Sequence, residues 1–193
     1  VVTDDGIGMD ATDARMCVEP HATSKIRNDQ DLFRIRTLGF RGEALPSIVA
    51  VSNFRLKTSV DGMKGILYSL KGGTFVSEAI IACPRGTEIS VRNLFFNTPA
   101  RLQNLQSQSQ ELSYITEYVN KIALARPDIA FKLTNNDRVL LQTYGNDNLL
   151  EVISQIYGVE IAKHMLSFYE SVGYFQVSGF ASDLNITRAN KSQ

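Results

Sequence analysis

Two short stretches carry most of the residues able to do chemistry. From Asp4 the chain reads Asp-Asp-Gly-Ile-Gly-Met, two carboxylates beside two glycines directly after the apolar pair Val1-Val2 and Thr3. From His21 to Ser47 it reads HATSKIRNDQDLFRIRTLGFRGEALPS, where Lys25, Arg27, Arg34, Arg36 and Arg41 supply cationic donors and Gly39 and Gly42 bracket Phe40-Arg41. Glycine permits backbone angles that a side chain forbids, and guanidinium groups match phosphate geometry. Pro46 is tolerated in a helix only within the first turn, so the helix carrying Ile48, Val49 and Val51 must start near Gly42. Such a start leaves unpaired N–H groups at the positive end of the helix dipole, an anion site. The segment reads as a lid over a nucleotide; the bland alternative is a basic surface loop feeding a core helix.

The first stretch has two readings as well. Gly6 to Ala11 spells G-x-G-x-x-A, the pattern of a dinucleotide-binding turn. Charge argues against it, because two carboxylates before the glycines would face an incoming pyrophosphate. A carboxylate at a strand end is suited instead to accept a hydrogen bond from an exocyclic amino group such as that of adenine, with Gly6 and Gly8 letting the backbone approach the ring. A plain Asp-Gly turn is the structural alternative. No G-x-x-x-x-G-K-[ST] occurs, which excludes a P-loop. Gly86-Thr87 opens a strand, and its hydroxyl beside a base can give or take a hydrogen bond. Asn97-Thr98-Pro99 has the form of a helix start. Cys17, Cys83, His21 and His164 match no metal-ligand spacing.

Composition sets bounds on all of this. With 193 residues and 44% hydrophobic content the chain can bury one core and part of a second. Lys plus Arg equals Asp plus Glu at 20 each, so any binding of anions must be local rather than global. The two cysteines read as reduced structural thiols of a cytosolic protein, and the sequons at Asn185 and Asn190 as coincidence. No apolar run reaches the roughly 20 residues that a membrane helix needs. From an opening at Val1 rather than Met, loss of the true N-terminus and of any targeting signal is an expectation.

The elements that must position these groups follow from periodicity. Val1 to Thr3 reads as the end of a buried strand and Asp10 to Val18 as a short helix. Alternation predicts strands at Phe54 to Ser59, Ile66 to Leu70, Phe75 to Ile81 and Glu88 to Val91, turning at Asp61-Gly62 and Gly72-Gly73, as an antiparallel meander. Ser107 and Gln110 have capping-box spacing ahead of Leu112, Ile115, Val119 and Ile122, a helix that Pro127 stops and that should cover a sheet face. Strands at Ala130 to Leu133 and Val139 to Gln142 flank the turn Asn135-Asn136-Asp137, and a helix then carries Leu149, Leu150, Ile153 and Ile156. A boundary near Tyr144 to Asp147 gives domains 1–145 and 146–193, the latter holding a helix and an alternating strand at Tyr174 to Phe180.

Taken in order, DDGIGM, HATSKI, LGFRGEAL, Gly86-Thr87 and LFFNTPAR at Leu94 to Arg101 resemble the MutL family of DNA mismatch-repair proteins, a branch of the GHKL ATPases. The resemblance implies an α+β architecture: the Bergerat, Hsp90-like α/β sandwich, followed by the start of a ribosomal-S5-like domain. It implies ATP with Mg2+ as cofactors. Asp4 would contact adenine, Gly6 and Gly8 line its pocket, and Thr87 support the base. Thr23, Ser24 and Lys25 would belong to the lid, while Gly39, Phe40, Arg41, Gly42, Glu43, Ala44 and Leu45 wrap the phosphates. Because a carboxylate repels phosphate, Glu43 is expected to cap the helix or to pair with a basic residue. The implied partners are ATP, a second copy through N-terminal dimerisation, a MutS-type mismatch sensor and DNA, with no membrane. The implied compartment is the cytoplasm, or the nucleus in a eukaryote.

One departure bears on activity. The family's helix with the water-activating glutamate and the magnesium-ligating asparagine precedes DxGxG, and its later lysine would lie past Gln193. No catalytic residue and no metal ligand of the family is therefore expected within these residues, and no appreciable turnover by this exact polypeptide. For the whole protein the resemblance implies an ATP-gated dimerising switch that couples mismatch recognition to downstream repair; its rivals are a non-catalytic interaction or DNA-docking module with a degenerate nucleotide site, and another GHKL enzyme, which the lid and NTPAR motifs disfavour.

Overall fold

The computed structural model describes residues 1–20, 42–184 and 186. They divide into two units, Val1–Leu105 and Gln106–Gln193.

The first unit is a five-stranded sheet with two of its three described helices packed on one face. Its strands are β1 (Val2–Asp4), β2 (Asn53–Ser59), β3 (Gly65–Lys71), β4 (Thr74–Ile81) and β5 (Gly86–Arg92), with helices α1 (Ala11–Met16), α2 (Ala44–Val49) and α3 (Pro99–Gln103). Sheet order is β1-β5-β2-β3-β4, and every neighbouring pair is antiparallel. The expected meander therefore holds for β2, β3 and β4 only. β5 leaves it to pair with β2, in register Leu56↔Ile89 and Phe54↔Val91. The reason is burial. Phe54 and Leu56 lie at the centre of the core with Ile89 and Val91 packed against it, whereas β4 leaves Phe75, Val76 and Ile80 largely exposed. Enclosing a side chain such as Phe54 or Leu56 contributes about 1.5–3 kcal/mol.

The N-terminal strand also departs from expectation. β1 forms, but as the outermost strand, paired on one edge only, and its residues are exposed rather than buried.

Alternation gives the sheet two different faces. Phe54, Leu56, Ile66, Tyr68 and Leu70 point to the helical side, where Ala14 and Val18 near α1 and Val49 of α2 complete the core. The register partners Lys57 and Glu88 lie on the opposite face and form an ion pair at 2.7 Å. Asp10 starts α1 by accepting from the Asp13 N–H at 2.8 Å. α2 begins two residues after Gly42, which takes φ +63°, and Pro46 occupies its first turn as its chemistry demands. The far end of α2 is tied down by the LFFN segment: the Phe95 N–H donates to the Val51 carbonyl at 2.7 Å and Asn97 Nδ2 to the Ala50 carbonyl at 2.9 Å. Asn97 thus serves α2, while Thr98 takes the N-cap position of α3 without a side-chain cap bond.

The second unit contains α4 (Gln108–Ala125), β6 (Lys132–Asn135), β7 (Arg138–Gln142), α5 (Leu149–Tyr157), α6 (Val159–Ala162), β8 (Met165–Val172) and β9 (Phe175–Ser182). The Ser107–Gln110 capping box forms as its spacing predicts. Asn136 and Asp137 close the β6–β7 hairpin at φ +46° and +65°, angles that Asn and Asp tolerate. Ala123 of α4, Leu141 of β7 and Val152 of α5 share one core, with Val119, Phe131, Leu133 and Ile156 around it. The division expected at residue 145 falls inside this unit, between β7 and α5. The alternating strand at Tyr174 to Phe180 is β9, paired with β8. β8 carries no such signal in the sequence, because Leu166, Phe168, Tyr169 and Val172 do not follow a clean two-residue period.

Candidate functional site

The Asp4–Met9 loop is built around three close approaches to glycine, two of them by backbone. At the end of β1 the Asp4 carboxylate accepts from the Gly6 N–H at 2.9 Å, and a Cβ at Gly6 would come within 2.8 Å of the same oxygen. Gly8 adopts φ +69°, and a side chain there would overlap the Ser59 carbonyl oxygen at 1.9 Å. Across the sheet Gly86, at φ +116°, lies so close beneath β1 that its Cβ would meet the Asp4 carbonyl oxygen at 2.1 Å. Gly8 and Gly86 are required by backbone contact as well as by dihedral angle, whereas Gly6 is crowded only by the Asp4 carboxylate.

Register then aligns the polar groups. Asp4 of β1 is partnered with Thr87 of β5, and Thr87 with Thr58 of β2. Directly opposed residues of an antiparallel ladder project to the same face, so the three form a row on the helical side of the sheet. The row runs inward: Asp4 is exposed, Thr87 half-buried and Thr58 buried at 1% exposure. Thr58 Oγ1 accepts from the Met9 N–H at 2.8 Å, donates to the Gly86 carbonyl at 2.9 Å and lies 3.1 Å from Thr87 Oγ1. One hydroxyl therefore joins the glycine loop to Gly86-Thr87.

Gly42, Glu43, Ala44 and Leu45 form the start of α2. Leu45 packs against the same buried cluster as Met9, so the helix start and the glycine loop stand over one face of the sheet. Glu43 sits at the N-cap position but makes no side-chain cap bond; its carbonyl instead accepts from the Ser47 N–H at 3.2 Å and Ser47 Oγ at 2.8 Å. Capping by its carboxylate, one of its two expected roles, is thus not made. The backbone angles explain this, because Glu43 is already helical at φ −107° and ψ −19°, whereas a capping side chain folds back from an extended residue. Thr23, Ser24, Lys25, Gly39, Phe40 and Arg41, like His21, lie outside the described residues.

Thr58 is the residue that sequence reasoning passes over. Its signal was a hydroxyl in the apolar phase of β2, two places after Leu56 and four after Phe54, in a threonine that reads as an ordinary strand former. Cys17 is a packing group: burial pushes its thiol up to about 11, and it donates to the Ala14 carbonyl at 3.2 Å. Among the described residues no three His, Cys, Asp or Glu side chains converge to hold a metal ion, and no helix is long and apolar enough to cross a membrane.

No family model matches the chain. Curated relatives do. It is 49% identical over 191 residues to the DNA mismatch repair protein MutL of Bacillus licheniformis, covering 99% of this chain and 30% of that protein. Against MutL of Ligilactobacillus salivarius it is 47% identical over 189 residues, covering 98% and 29% respectively. The chain thus spans under a third of the length of these relatives. Among solved structures it matches the N-terminal domain of a DNA repair protein with TM-score 0.78 at 21% identity, over 99% of this chain and 61% of that one. The ATPase domain of Aquifex aeolicus MutL gives TM-score 0.68 at 22% identity, over 93% and 59%. The same domain complexed with ADP gives 0.65 at 24%, over 87% and 58%. At such identities the structural likeness shows the fold alone, a mixed α+β arrangement around an antiparallel sheet. With near-half identity along almost every residue, the chain belongs, over the stretch it shares with these relatives, to the MutL family of DNA mismatch-repair proteins.

Proposed function

We propose that this chain forms the nucleotide-binding face of a MutL ATPase region whose occupancy by ATP gates dimerisation during mismatch repair. The observation that carries the reading is the polar row Asp4–Thr87–Thr58 beside the glycine loop, hydrogen-bonding groups that continue an otherwise apolar sheet face out to an exposed carboxylate. An adenine base fits there. Its amino group would donate to Asp4, Gly6 and Gly8 would let the loop lie against the ring, and Thr87 would support the base from β5. Gly42, Glu43, Ala44 and Leu45 would approach the phosphates chiefly through backbone groups, together with Gly39, Phe40 and Arg41, and Thr23, Ser24 and Lys25 would contribute from the lid. The related Aquifex aeolicus domain with ADP supports adenine nucleotide as the ligand class.

ATP, when bound, supplies a phosphoanhydride whose hydrolysis resets the switch. The described residues would bind and orient it. Lid ordering over ATP would favour the dimeric state by differential affinity. A MutS-type sensor and DNA are the proposed partners, the cytoplasm the proposed compartment, and 146–193 the proposed start of a ribosomal-S5-like domain; family membership supports all of these.

Sedimentation of the full-length protein with a non-hydrolysable ATP analogue tests the gating. A shift from monomer to dimer with the analogue, and none with ADP, is expected. An identical sedimentation coefficient with the analogue, with ADP and without nucleotide would remove the switch and leave a docking module.

A further inference from the structure

We propose that Thr58, which touches no ligand, is a positioning residue that sets the purine specificity of the site by fixing the direction of the Thr87 hydroxyl proton. The inference rests on the adenine-nucleotide reading above and deepens it.

Proton counting carries the argument. Thr58 Oγ1 has one proton and two lone pairs. The Met9 N–H can only donate, so it takes one lone pair at 2.8 Å. The Gly86 carbonyl can only accept, so it takes the proton at 2.9 Å. One lone pair remains for Thr87 Oγ1 at 3.1 Å, and filling it requires Thr87 to donate inward. Because Thr58 is 1% exposed, water cannot readily substitute for any of these partners, and an unmade bond there would be costly.

The consequence lies on the outer side of Thr87. With its proton committed to Thr58, Thr87 turns only acceptor capacity toward the open end of the row. Its register neighbour Asp4 turns carboxylate oxygens to the same face, and these are likewise acceptors. Two adjacent acceptors favour a base edge bearing a donor, the 6-amino group of adenine, directly or through a water that donates. They oppose a 6-oxo purine, which presents an acceptor at the same place. Removing the Thr58 hydroxyl lets Thr87 rotate and donate outward, so the opposition weakens while Asp4 keeps its share.

The test is calorimetric titration of ADP and of IDP into the full-length protein and its Thr58→Val and Thr58→Ser variants, each compared by circular dichroism and melting midpoint. Wild type should prefer ADP. Thr58→Val should narrow that preference by about three- to tenfold, the size of one net hydrogen bond, and Thr58→Ser should restore it. A folded Thr58→Val protein with the wild-type ADP-to-IDP ratio overturns the proposal, as does a wild type that binds the two equally. Should Thr58→Val not fold, Thr87→Val decides: a narrowed ratio supports an acceptor at Thr87, and an unchanged ratio overturns it. Wild-type protein that binds neither nucleotide defeats the underlying reading as well, which separates that failure from failure of the Thr58 role alone.

Discussion

Gly8 shows how single positions shape this site. Its left-handed φ of +69° would strain any other residue, and the Ser59 carbonyl oxygen at 1.9 Å from a built Cβ leaves no space even for alanine. Left-handed strain costs about 1–2 kcal/mol and the overlap adds to it, so Gly8→Ala should destabilise the protein by about 2 kcal/mol or more. Urea unfolding checks this; an unchanged midpoint would mean that the loop does not lie against β2. The residue scale is also where sequence reading divides. Gly8 and Asp4 are legible because a glycine pattern after carboxylates leaves few physical options. Thr58 is not, because its importance comes from Met9, Gly86 and Thr87, which stand far from it in sequence and reach it only once β2 and β5 have paired.

Among the elements, α1 is fastened to the sheet both by burial and by charge. Ala14 is fully buried, while Arg15 grips the Glu78 carboxylate of β4 through two hydrogen bonds, the Nε–Oε2 one at 2.7 Å. Arg15 holds the Glu78 carboxyl below the usual glutamate range through that hydrogen bonding. A folded-state pKa that is depressed contributes stability fully present above the unfolded value and lost as pH falls through the folded one. Glu78→Gln should therefore lower the thermal midpoint slightly at pH 7, with the difference from wild type shrinking as pH falls below the usual glutamate range. A difference that persists undiminished in acid would show that Glu78 acts by packing instead. The elements themselves were largely readable: alternation and glycine turns place β2 to β4, and the capping box places α4. What periodicity cannot supply is partner choice. Glu88 to Val91 alternates equally well for either neighbour, and only the apolar match of Ile89 and Val91 to Leu56 and Phe54 draws β5 to the far edge of β2.

At the scale of the molecule, the first unit is a one-sided sheet whose helical face changes along one row from hydrocarbon to hydrogen-bonding groups. Ile66 and Thr58 are register partners, and beyond Thr58 the row continues through Thr87 to Asp4. Family membership, the glycine contacts and this row all support the adenine site proposed above, with Asp4 at its rim. The second unit has a core of its own around Ala123, Leu141 and Val152. It follows the first unit after a short link with no run of Pro or Gly to mark it, and the boundary expected near residue 145 lies between its β7 and α5. The most direct measurement of the central claim is calorimetric titration of ATP into the full-length protein and its Asp4→Ala variant. Binding by wild type and a loss of at least about tenfold in the folded variant, as expected for a hydrogen bond to a charged acceptor, is the predicted result. Equal affinity in both proteins, or no binding by a folded wild type, would contradict it.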